Sequence, residues 1–108
     1  MATINGTGSA NRLNGTSLGD IIRGLDGADI IHGNGGSDRI QGNDDEDSLY
    51  GGTGSDVIRL GEGNDVLDGG AGADRLEEGS GDDRMWGGTD SDSLSSGVFC
   101  WRCQINPA

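Results

Sequence analysis

The sequence predicts an all-β fold assembled from a short repeat, and three observations carry that reading. A nine-residue period runs without gaps from Gly6 to Ser95. One position of the period is always apolar, flanked by polar residues, as in a short strand with one face inward. The remainder of each unit is rich in Gly and Asp, which favour tight turns and disfavour helix.

Cut at Gly6, the chain reads GTGSANRLN, GTSLGDIIR, GLDGADIIH, GNGGSDRIQ, GNDDEDSLY, GGTGSDVIR, LGEGNDVLD, GGAGADRLE, EGSGDDRMW and GGTDSDSLS. The eighth position is Leu13, Ile22, Ile31, Ile40, Leu49, Ile58, Leu67, Leu76, Met85 and Leu94. It predicts one inward residue per three-residue strand, with the neighbours (Arg23, Arg39, Gln41, Arg59, Arg75, Glu77) facing solvent. The sixth position is Asn11 followed by Asp20, Asp29, Asp38, Asp47, Asp56, Asp65, Asp74, Asp83 and Asp92. Gly fills the first position except at Leu60 and Glu78. It also fills the fourth except at Ser9, Leu18, Asp45 and Asp90. No apolar stripe of helical period exists.

Composition limits what such a chain can do. Its 108 residues carry 19 acidic and 7 basic side chains, a net charge of -12, with 31% hydrophobic residues. A weakly apolar, strongly charged, Gly-rich chain stays disordered unless something compensates. The charge repels a nucleic-acid backbone and an anionic membrane surface. The longest apolar run, Val98-Phe99-Cys100-Trp101, is far too short to span a bilayer. The opening MATINGTGSA lacks the basic and apolar regions of a signal peptide. Clustered carboxylates suit a hard divalent cation instead.

The pattern G-G-x-G-x-D-x-U-x, with U a large apolar residue, resembles the RTX (haemolysin-type) nonapeptide calcium-binding repeat. Residues Gly51–Arg59 and Gly69–Glu77 match it at every fixed position. The resemblance covers residues 6–95 and implies a right-handed parallel β-roll, a two-sheet β-solenoid of about five 18-residue turns. It implies calcium in the stacked turns along each edge. Calcium takes six to eight oxygen ligands in irregular geometry, and Gly-rich turns expose carbonyls for it. The implied ligands are Asp20, Asp38, Asp56, Asp74 and Asp92 on one edge and Asp29, Asp47, Asp65 and Asp83 on the other, holding about seven ions. A further bed at Asn11 lacks the charge. Sites touching the turns that depart from the Gly pattern, above all Gly42–Asp47 with Asp44, Asp45 and Glu46, and those with Leu18, Asp90, Leu60 and Glu78, are expected to be weaker or distorted.

Other motifs give way to the repeat. Gly15-Thr16-Ser17-Leu18-Gly19 spells G-x-S-x-G, which as a nucleophile elbow requires a strand-to-helix turn and a His base. His32 is the only His and occupies an outward, solvated position of the period. Cys100 and Cys103 form a C-x-x-C without the context of a redox or zinc site, leaving a tail disulfide or two thiols. Asn5-Gly6-Thr7 and Asn14-Gly15-Thr16 fit a glycosylation sequon but read as turns.

The expected organisation is an N-terminal strand or cap over 1–5, the repeat over 6–95, and a non-repeat cap or tail over 96–108. The expected function is a non-enzymatic module that folds when calcium binds. The resemblance implies secretion from a bacterium by type I-like export. The alternative is adhesion to an acidic polysaccharide or cell surface through the outward Arg23, Arg39, Arg59 and Arg75. Their spacings of 16, 20 and 16 residues depart from a single phase of the repeat.

Overall fold

The computed structural model describes residues 2–77, 79, 81, 83–87, 93–95 and 100–104, the last two segments as backbone. Among them every regular element is a strand: β1 Thr3–Asn5, β2 Arg12–Asn14, β3 Ile21–Arg23, β4 Ile30–His32, β5 Arg39–Asn43, β6 Ser48–Tyr50, β7 Val57–Gly61, β8 Val66–Asp68, β9 Arg75–Glu77, β10 Asp83–Trp86, β11 Ser93–Ser95 and β12 Cys100–Gln104. Odd strands form one six-stranded sheet in the order β1-β3-β5-β7-β9-β11. Even strands form the other, β12-β10-β8-β6-β4-β2. Every pairing is parallel.

This is a β-solenoid with an 18-residue advance: Ile22 pairs with Ile40, Ile40 with Ile58, and Ile58 with Leu76. The unbroken stretch 2–77 completes about four turns. The fifth expected turn runs through residues that are only partly described. β1 enters in register with β3, Ile4 beside Ile22. β12 lies against β10 through a bulge between Asp83 and Arg84. The side chains of Cys100 and Cys103 lie outside the described residues.

The core is a single layer between the sheets. Ile22, Ile31, Ile40, Leu49, Ile58, Leu67, Leu76 and Met85 are all buried, as the eighth-position row predicts, with Ile4 and Leu13 partly buried against them. One core residue falls outside that row. Leu60 is fully buried, although the repeat pattern marks it as a missing glycine. The alternation of a strand explains it: β7 runs on to Gly61, so positions eight and one face inward and nine faces out. Leu60 therefore adds apolar area to a thin core.

The outward faces differ. On the odd sheet, Arg39 pairs with Val57 and Val57 with Arg75, while Gln41 pairs with Arg59, and Arg23 lies beside Gln41. The irregular arginine spacings are thus one 18-residue advance plus or minus two, and all four guanidinium-bearing residues share one exposed face. Arg59 ion-pairs with Glu77, and a shallow groove of about 320 Å³ runs between Arg39, Arg59 and Arg75. On the even sheet, His32 is half-buried and stacked on Tyr50, centroids 4.7 Å apart. The register makes the two direct neighbours, so His32 is packed rather than freely solvated.

Emptying a sealed core site costs transfer energy plus a cavity. Leu60→Ala is expected to lower stability by about 2–5 kcal/mol in chemical denaturation with calcium present. A repeat that wants glycine there would instead show no loss.

Candidate metal centre

The sixth-position carboxylates form two ladders, one along each edge of the solenoid. Asp20, Asp29, Asp38, Asp47, Asp56, Asp65, Asp74 and Asp83 are each 2% exposed or less. The Oδ1 of each accepts the main-chain N–H of the equivalent residue one turn earlier. Ala2 donates to Asp20, Asp20 to Asp38, Asp38 to Asp56 and Asp56 to Asp74. On the other edge Asn11 donates to Asp29, Asp29 to Asp47, Asp47 to Asp65 and Asp65 to Asp83. These bonds are 2.7–2.9 Å long. Asp92 lies outside the described residues.

The second carboxylate oxygen is the unusual one. The Oδ2 of Asp29, Asp38, Asp47, Asp56 and Asp65 is buried and accepts no hydrogen bond. A buried oxygen of an ionised group left in that condition is costly. At Asp29, Asp38, Asp47 and Asp56 it faces the first-position glycine of the same turn, Gly24, Gly33, Gly42 and Gly51, whereas the first position of the Asp65 turn is Leu60. A Cβ added to Gly51 would lie 2.6 Å from Asp56 Oδ2 and 2.6 Å from the carbonyl oxygen of Gly69, one turn on. At Gly33 the same two distances, to Asp38 Oδ2 and the Gly51 carbonyl, are 2.5 and 2.7 Å. At these glycines carboxylate and carbonyl oxygens thus converge on the space that a side chain would take.

The turns keep that shape by left-handed backbone at positions two and four. Leu25, Asn34, Asn43, Gly52, Gly61 and Gly70 have positive φ at the second position; Gly27, Gly36, Asp45, Gly54, Gly63, Gly72 and Gly81 have it at the fourth. The crowded Gly42–Asp47 turn keeps the same left-handed positions as its neighbours, Asn43 and Asp45. Asp45 takes the glycine conformation at φ 75°, which Asp tolerates. Its Oδ2 accepts the Gly27 N–H at 2.7 Å.

The first two turns, which the sequence marks by Ser9 and Leu18 in place of the fourth-position glycine, are built differently, and the part played by Thr7 and Thr16 was not anticipated. Thr7, Ser9, Thr16 and Leu18 all have ordinary negative φ. Thr16 N–H donates to Asp20 Oδ2 at 2.6 Å, and its hydroxyl reaches both carboxylate oxygens at 3.0 Å. Thr7 does the same to Asn11 Oδ1, at 2.8 Å from N–H and 3.1 Å from the hydroxyl. The available signal was Thr at position two, which occurs only in these two units.

The electrostatics follow the bonding. Burial pushes the carboxyls of Asp29 and Asp38 up, those of Asp47 and Asp56 up to about 7, and that of Asp65 up to about 8. The Thr16 N–H holds Asp20 below the usual carboxylate range.

A hard divalent cation fits this donor set, which is all oxygen and includes an unpartnered buried carboxylate atom. Among the described residues there is no group of three or more His, Cys, Asp or Glu side chains able to hold a metal. Carbonyls must therefore supply most of any coordination shell. Gly15–Gly19 joins β2 to β3, so the strand-to-helix setting that G-x-S-x-G requires is not present.

Fold and site together define a repetitive β-solenoid whose edges are lined with buried carboxylates. The RTX calcium-binding nonapeptide repeat family matches four times, at residues 5–40, 14–49, 41–76 and 79–98, and the chain belongs to that family. It is a calcium-binding repeat module. No curated protein and no solved structure matches it.

The raised carboxyl groups fix the sign of a pH response. Folded values near 7–8 against an unfolded value of about 3.9 mean that the metal-free fold binds extra protons. Its stability is greatest below about pH 4 and falls as pH rises towards 8. If calcium binds these oxygens the sign reverses, because protons then compete with it. Circular dichroism should show calcium-stripped protein gaining β structure from pH 8 to pH 5, while thermal melts of loaded protein show stability lost over the same range.

Proposed function

We propose that this chain is a calcium-dependent folding module of a secreted protein. The observation that carries the reading is the set of unpartnered, buried Oδ2 atoms on Asp29, Asp38, Asp47, Asp56 and Asp65. The residues that would hold the ions are these aspartates, with Asp74 and Asp83 continuing the same ladders, and the carbonyls of the Gly-rich turns. Calcium supplies the positive charge that makes burial of these carboxylates favourable.

The chain's own part is to bring the donors together. Oδ1 of each aspartate is tied to the previous turn, which orients Oδ2 inward. The glycines let adjacent turns approach until carbonyls stack. Without the cation, carboxylates one strand spacing apart, about 4.8 Å, repel each other. The thin core cannot then offset the backbone entropy of ordering. Binding energy thus becomes folding energy. Such a device suits export of an unfolded chain into a calcium-rich exterior, where modules of this kind bind at about 10⁻⁴–10⁻³ M.

A second reading, adhesion, is favoured by one observation. Arg23, Arg39, Arg59 and Arg75 share one sheet face on a chain of net charge -12. A planar row of guanidinium groups suits the carboxylates of an acidic polysaccharide.

Circular dichroism and calorimetry with added Ca²⁺ test the first reading: β structure should appear on titration, with heat of binding in the same range. Full β structure in calcium-free buffer, unchanged by the ion, would sink it. For the second, loaded protein should bind alginate oligomers and lose about tenfold or more in affinity on Arg39→Ala with Arg75→Ala, since hydrogen bonds between charged groups contribute about 1.5–3 kcal/mol each. Equal binding by the double variant counts against that face.

A further inference from the structure

We propose that the first two turns of the repeat take no cation, and that Thr7 and Thr16 occupy its place, making residues 2–23 a metal-independent cap on which the calcium-binding turns stack. The inference rests on the calcium reading above and deepens it: Asp20, although in perfect phase with the other aspartates, is a structural carboxylate.

Three independent features converge. The first is hydrogen bonding. Asp20 Oδ1 accepts the Ala2 N–H at 2.8 Å and Oδ2 accepts the Thr16 N–H at 2.6 Å. At Asp29, Asp38, Asp47, Asp56 and Asp65 the corresponding Oδ2 accepts nothing. A cation must approach that oxygen, and at Asp20 an N–H dipole with its positive end outward already points there.

The second is backbone conformation. From the third unit to the eighth, position two is left-handed, at φ values of 69–95°. Thr7 and Thr16 are not, and the opposite sign of φ is what turns their N–H onto the sixth-position side chain. Threonine is the residue for this: a β-branched side chain resists positive φ, and its hydroxyl closes the turn. Thr16 Oγ1 accepts the Leu18 N–H at 3.1 Å, and Thr7 Oγ1 the Ser9 N–H at 3.2 Å. Leu18 and Ser9 stand where later turns place a left-handed residue.

The third is Asn11. The neutral amide oxygen of Asn11 receives the same pair of contacts from Thr7 that the Asp20 carboxylate receives from Thr16. The turn closes without a charge at position six. A ligand to calcium needs that charge, and a hydrogen-bond acceptor does not.

Among the described residues, full beds then remain between Asp38 and Asp56 and between Asp56 and Asp74 on one edge. On the other they lie between Asp29 and Asp47, Asp47 and Asp65, and Asp65 and Asp83. The space between Asp20 and Asp38 drops out of the set that the repeat phase suggests.

Native mass spectrometry in calcium separates the alternatives, with Asp20→Asn and Asp56→Asn compared to the unaltered chain. Asp20→Asn, which copies Asn11, should keep the same number of bound ions, and Asp56→Asn should lose at least one. Loss of an ion from Asp20→Asn overturns the inference. An unaltered chain that binds no calcium would instead overturn the functional reading on which it rests. Amide hydrogen exchange on the loaded, unaltered chain gives a second measure that no folding defect can obscure. The Thr7 and Thr16 amides should be protected at least tenfold. Exchange at the rate of an unstructured amide would mean that these N–H groups face a bound ion or solvent rather than Asn11 and Asp20, and the inference would fail.

Discussion

The structure depends on one hydrogen bond repeated along two edges: an aspartate Oδ1 accepting the N–H of the aspartate one turn before it. The same aspartate's carbonyl accepts the N–H that opens the next strand, as Asp38 does from Val57 and Asp56 from Arg75. Each sixth-position residue is therefore tied to its neighbours in both directions, by side chain and by main chain. These ties fix the 18-residue advance, bury the carboxylate and turn its second oxygen towards the first position of its own turn, a glycine at Gly24, Gly33, Gly42 and Gly51. Register and the burial of an unpartnered carboxylate oxygen both follow from that single geometry.

Much of this was legible in the sequence because the period is unbroken. A fixed phase of inward Leu and Ile, a fixed phase of Asp and recurrent Gly allow only a stack of short strands and turns, and the two sheets carry the expected row from Ile22 to Met85. What the pattern concealed were positions where one letter has two readings. Leu60 looks like a lost glycine, yet it is core, because β7 extends and position one also faces inward. Asp45 looks like a damaged turn, yet Asp can adopt the left-handed conformation that glycine supplies elsewhere. The arginines look out of phase, yet positions seven and nine lie on the same outward face, so a shift of two residues leaves a side chain on that face.

Asp20 was the hardest position to read. Its letter and phase equal those of Asp56, and only the partner four residues earlier differs. Thr16 has an N–H turned towards the carboxylate, whereas Gly52 has φ 92°. A position-by-position consensus scores the aspartate and overlooks the residue that decides its chemistry.

The ladder also has a direction. Every Oδ1 looks back towards the N-terminus for its donor, so a turn is satisfied only against a turn already in place. A chain built wholly from identical metal-binding units would have no first donor, and its leading edge would expose both an unmatched carboxylate and an open strand. Ala2 and Asn11 resolve this. Each donates its N–H to an aspartate, to Asp20 and Asp29 respectively, and neither carries a charged carboxylate that would need a donor in turn. Neutral residues at these two sixth positions therefore satisfy Asp20 and Asp29 without adding a carboxylate to the ladder. In a repetitive fold whose units contact only their neighbours, a neutral sixth-position residue is thus a point at which the ladder's demand for a further donor stops.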